Sequence, residues 1–81
     1  MRRYELSSSA LALQAKARAD GEDALASACT ALDVARREDC DAVKRAAAQF
    51  KKAKDGLRSE PRQMYGDALA RVERAIAGLC P

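Results

Sequence analysis

Apolar residues recur along this chain at helical spacing. Leu6, Ala10, Leu13 and Ala17 follow at steps of four, three and four, which places them on one face of an α-helix. Leu25, Cys29, Leu32, Cys40, Val43, Ala47, Phe50 and Leu57 form a second stripe, and Tyr65, Leu69, Val72, Ile76 and Leu79 form a third. No stretch alternates with a period of two, so the pattern predicts an all-α protein.

Glycine and proline parse the stripes into elements. The serine run Ser7-Ser8-Ser9 offers hydroxyls to cap free backbone amides, so the first helix is expected over about 8–20, after a fraying Met1–Leu6 segment. Gly21 ends it, and Asp20, Glu22 and Asp23 crowd the next helix start, where the backbone dipole favours negative charge. No Gly or Pro lies between Gly21 and Gly56. The heptad phase is kept from Leu25 to Leu57, although Arg36 and Lys54 occupy seam positions. Preserved phase favours one helix over 22–56, about 50 Å long at about 1.5 Å per residue. The rival reading breaks it near Glu38-Asp39-Cys40-Asp41, with Arg36 and Arg37 at one helix end and the acids at the next start. Gly56-Leu57 fits a Schellman-type ending. Ser59-Glu60-Pro61 opens a third helix over about 60–79, because proline is tolerated in a first turn. Gly66 sits inside that pattern at a cost of about 1 kcal/mol against alanine, and Gly78 and Pro81 close it.

The short loop before Pro61 requires the second and third helices to run antiparallel. The third is too short to cover the whole second, which leaves its N-terminal half to the first. The expected architecture is a single domain over 1–81: an elongated helical hairpin with the N-terminal helix packed back, a small three-helix bundle. Alanines such as Ala46, Ala47, Ala68 and Ala75 would let the backbones approach closely.

Composition changes this picture in one respect. The chain has 81 residues and 48% hydrophobic content, but 19 residues are alanine and only Tyr4, Phe50 and Tyr65 are aromatic. Alanine favours helix and fills a core poorly. A short chain with so few large apolar groups gains from a partner or a second copy of itself. Self-assembly would use the Leu25–Leu57 or the Tyr65–Leu79 seam. The start Met1-Arg2-Arg3 is basic, but the apolar run behind it is interrupted by Gln14 and Lys16, so it reads as neither signal peptide nor membrane span. A cytoplasmic location follows as the default.

Candidate chemistry is sparse. With no histidine, imidazole bases and the usual nucleophilic triads are excluded, and no glycine run can cradle a phosphate. No enzyme activity and no cofactor is expected. The three cysteines, Cys29, Cys40 and Cys80, include no C-x-x-C pair and make a poor disulfide framework. On one continuous helix Cys29 and Cys40 share a face but lie about 16 Å apart, too far to bond. Both are expected to be buried, inert packing, and Cys80 to be exposed near the C-terminus and able to cross-link two chains in air. The carboxylate Asp67 lies beside Arg71 and Arg74, as in solvated ion pairs.

The strongest polar signal is basic. Net charge is +3. Between residues 36 and 62 stand nine Lys or Arg against five acids. Arg37, Lys44 and Lys51 recur every seven residues, as do Arg45 and Lys52, opposite the apolar seam. Together with Arg36, Arg58 and Arg62 they form the candidate partner-binding set. Such a stripe matches an acidic protein surface or tracks a phosphate backbone; it is also how a solvated helix face looks. Nothing here resembles a helix-turn-helix or a set of stacking aromatics for reading bases. Arg2, Arg3 and Tyr4 are residue types that recur at protein contacts.

Two resemblances bear on function. Lys44 to Leu79, with Pro61 and Tyr65 opening the last helix, resembles the small helical-hairpin co-chaperones of type III secretion, which would imply escort of another subunit by helix-on-helix packing. The Ala- and Arg-rich single-domain format is similar to small phage-encoded inhibitors, including anti-CRISPR proteins. The sequence thus points first to a non-catalytic module, adaptor or inhibitor, docking on a larger protein or nucleoprotein machine. Sequence-tolerant nucleic-acid binding and a self-assembling helical protein are the alternatives.

Overall fold

A computed structural model of the chain describes residues 2–57 and 63–80. Among these residues four helices follow one another: α1 (Arg2–Ala19), α2 (Asp23–Ala35), α3 (Cys40–Asp55) and α4 (Gly66–Leu79). The described residues include no strand, and the helices pack as a small bundle measuring 32 × 19 × 19 Å. The expected all-α bundle is therefore present, and the stretch expected to form its second helix forms two.

The extra helix comes from a break in the 22–56 stretch. A rod of about 50 Å would overrun a molecule 32 Å long. The chain instead leaves α2 through tightened turns, with the amides of Arg37 and Glu38 bonding the carbonyls of Val34 and Ala35. Asp39 then restarts it. Its backbone is extended (φ −108°, ψ 174°), and its side chain accepts a 2.8 Å bond from the Ala42 amide, satisfying one of the free donors of α3. Asp41 in the first turn suits the dipole. The rival reading of Glu38–Asp41 is the one realised. Phase alone misled because two antiparallel helices each need the same stripe that one long helix would carry.

The α1–α2 corner is a Schellman turn. Gly21 adopts φ +78°, the Glu22 amide bonds the Ala17 carbonyl at 2.8 Å and the Gly21 amide bonds the Arg18 carbonyl at 3.2 Å. Gly56 does not repeat it. Its φ is −81°, so α3 ends in a right-handed turn, although Leu57 is buried as expected. The first helix also differs from expectation. It begins at Arg2, its Leu6 is fully buried, and Ser7 lies within the helix, donating a 2.7 Å bond to Asp33 of α2. The expected opening of the last helix at Ser59-Glu60-Pro61 lies outside the described residues. Gly66 is the first residue of α4, behind a turn at Tyr65.

α1 sits between α2 and α4, α3 packs on α2, and α3 and α4 share only a thin contact. This reverses the expected hairpin: the last helix leans mainly on α1. Among the described residues, eight of the nineteen buried core residues are alanine, which lets helices approach closely but leaves little apolar area per residue. The large side chains are Tyr65, Phe50, Leu6, Leu13, Leu25 and Leu32.

The thin α3–α4 seam is held at both ends. Cys40, the first residue of α3, forms a disulfide with Cys80, with Cα atoms 5.6 Å apart. Near the other end Lys54 pairs with Glu73. The helix break overturns the expectation for Cys40 and Cys80. Cys40 is exposed rather than buried in a seam, and Cys80 bonds within the chain rather than between chains. Cys29 is the buried, free thiol that the pattern anticipated, and burial pushes its pKa up to about 12.

Candidate partner-binding face

Alpha-3 is strongly two-sided. Val43, Ala46 and Phe50 face the core, and Lys44, Arg45, Lys51 and Lys52 stand exposed on the opposite side around Ala48. The four cations fall within about 12 Å along the axis at about 1.5 Å per residue. That is close to a Debye length, so they act on an approaching charge together. Among the described residues none of the four forms an ion pair. Asp41 and Asp55 lie at the two ends of this face.

The other members of the sequence-predicted set do not join it. Arg36 and Arg37 lie in the turn before α3, so the seven-residue repeat from Arg37 to Lys44 crosses the break and aligns nothing. Arg36 is half-buried and bonds Asp33 at 2.9 Å. The Ser7 hydroxyl and the Arg36 guanidinium on Asp33 hold its carboxyl below the usual range. Arg37 is exposed. Arg58 and Arg62 lie outside the described residues.

The basic row runs along a ridge between two clefts. On one side a cleft of about 380 Å³ lies between α2 and α3, lined by Glu22, Leu25, Gln49, Lys52, Ala53 and Leu57 among others. On the other side a cleft of about 300 Å³ lies between α3 and α4, walled by Ala47, Phe50 and Ile76 and rimmed by Lys51, Lys54 and Glu73. Neither was legible in the sequence, because both exist only once the 22–56 stretch is broken and its halves are packed. The signal that was available is the acidic start Asp39-Cys40-Asp41.

Arg71 and Arg74 sit across a third, shallower cleft from Glu5, and Asp67 is exposed without an ion pair among the described residues. No group of three or more Cys, Asp or Glu side chains among the described residues is arranged to hold a metal. No helix among them is long and apolar enough to cross a membrane. The two seams considered for self-assembly are spent inside the fold: Leu25, Leu32, Phe50, Leu57, Tyr65, Leu69 and Val72 are all buried.

Comparison with protein-family models, with curated proteins and with solved structures returned no match.

Proposed function

We propose that the chain is a non-catalytic docking module, an adaptor or inhibitor, that binds an acidic surface of a larger protein or nucleoprotein machine through the outward face of α3. The observation that carries this reading is the basic ridge Lys44, Arg45, Lys51 and Lys52, flanked on both sides by clefts with apolar walls. Unpaired cations supply attraction and orientation. Apolar walls beside them give a protein partner side-chain pockets to fill. A phosphate backbone would use the cations and leave the walls idle, so a protein partner is favoured over nucleic acid. The format shared with small phage-encoded inhibitors fits the inhibitor branch of this proposal.

The test is affinity capture of the tagged chain from its native host, with and without nuclease, beside the double variant Arg45→Glu/Lys52→Glu. A stoichiometric protein that survives nuclease and is lost from the variant supports the reading. A partner retained by the variant removes the ridge from it, and loss of all partners on nuclease treatment transfers the ridge to nucleic acid.

A further inference from the structure

Alpha-1 carries two apolar seams, and the fold covers only one. Leu6, Ala10, Leu13 and Ala17 are fully buried against α2 and α4. Tyr4, Ser8, Leu11, Ala15 and Arg18 repeat the same steps of four and three on the outward side, and all are exposed. Tyr4 is 78% and Leu11 43% accessible, two of four large apolar side chains left outside among the described residues. Ala12 and Ala19 extend the same face, which has one charge, Arg18, at its end. The outward face of α3 holds four cations by contrast, so a solvated helix in this protein looks different.

We infer that this face binds a second copy of the chain, α1 against α1 in antiparallel register centred on Leu11. Charge selects that occupant. Glu5 flanks the seam near one end and Arg18 closes the other, and neither forms an ion pair within the chain among the described residues. An antiparallel copy brings Glu5 of each protomer to Arg18 of its partner, twice by symmetry. It also sets Tyr4 beside Arg18, a ring and a guanidinium suited to stack. Leu11 meets its own copy at the twofold axis, and Ser8 and Ala15 are small enough to let the helices approach closely. Parallel pairing would instead place Arg18 on Arg18 and Glu5 on Glu5. Alpha-3 lies diagonally across the bundle from α1, so the pair leaves both basic ridges free. The inference stands independently of what those ridges bind.

Sedimentation equilibrium of the full, disulfide-intact chain, from micromolar to near-millimolar concentration, tests it. The mass should rise toward twice 8.7 kDa with concentration. Leu11→Glu, at an exposed position that leaves the fold intact by circular dichroism, should remain monomeric. Glu5→Arg and Arg18→Glu should each weaken the dimer about tenfold, and the double exchange should restore it. A wild-type chain that stays monomeric throughout, or a dimer untouched by Leu11→Glu, overturns the interface. A dimer that the double exchange fails to restore overturns the antiparallel register.

Discussion

The phenol of Tyr65 donates a 2.6 Å hydrogen bond to Asp20, tying the start of α4 to the α1–α2 corner across 45 residues. Lys16 lies over the same ring, 5.3 Å from its centre, and donates to the Met64 carbonyl. Tyr65 is 1% exposed, so α4 enters the bundle through a buried aromatic whose hydroxyl has one defined partner.

Tyr65→Phe should therefore cost about 1–2 kcal/mol of stability. Burial, reinforced by the bond to Asp20, pushes the phenol up to about 12. An unfolded tyrosine ionises near about pH 10. The folded state thus holds this proton more tightly. That contribution is complete below about pH 10 and is lost as pH rises toward about 12. Stability measured by denaturation from about pH 9 to about pH 12 should fall for the wild type and stay flatter for the Phe variant.

Asp33 works at the opposite end of the scale. With its pKa lowered by Ser7 and Arg36, its contribution is present above the unfolded aspartate value of about 3.9 and disappears as pH falls through the lowered one. Ser7→Ala should cost about 1 kcal/mol at neutral pH, and less once Asp33 is protonated. Urea midpoints at neutral and strongly acidic pH measure both.

Reduction of Cys40–Cys80 should destabilise the chain, because the bridge closes a loop of sequence separation 40, worth on the order of 4 kcal/mol in the chain-entropy treatment. Cys80→Ser should show the same loss without added reductant. After reduction under native conditions, an alkylating reagent should take Cys40 and Cys80 and spare Cys29, whose buried thiol stays protonated. Cys29 should react only on unfolding. Mass spectrometry counts the labels. The same count on material trapped in the cell reports whether the compartment is oxidising.

Two glycines should respond to alanine with opposite signs. Gly21→Ala forces a Cβ into φ +78° and should cost about 1 kcal/mol. Gly66 has open space where a methyl group would stand and lies in the first turn of α4, so Gly66→Ala should gain about 0.5 kcal/mol. Thermal melts of the two variants distinguish these outcomes directly.

The helical class and most of the core could be read from spacing. Leu6 to Ala17, Leu25 to Leu32 and Tyr65 to Val72 are buried as their periodicity required. What spacing could not tell was where a continuous stripe folds back. The preserved phase from Leu25 to Leu57 is equally satisfied by a rod and by two helices, and only the cap at Asp39 decides between them. The disulfide was hidden behind the same ambiguity, since Cys40 and Cys80 come to one end of the bundle only after the break. Of the candidate basic residues, Lys44, Arg45, Lys51 and Lys52 share a face because they lie within one helix. Arg36 and Arg37 were assigned to it by a repeat that crosses the break.

A photo-reactive amino acid at Ala48, the uncharged centre of the basic ridge, tests most directly whether α3 docks on a protein. Cross-linking in the native host should join position 48 to a different protein, resist nuclease, and vanish when Arg45→Glu/Lys52→Glu is added. Absence of a protein adduct at Ala48, or an adduct to nucleic acid alone, would contradict the docking role.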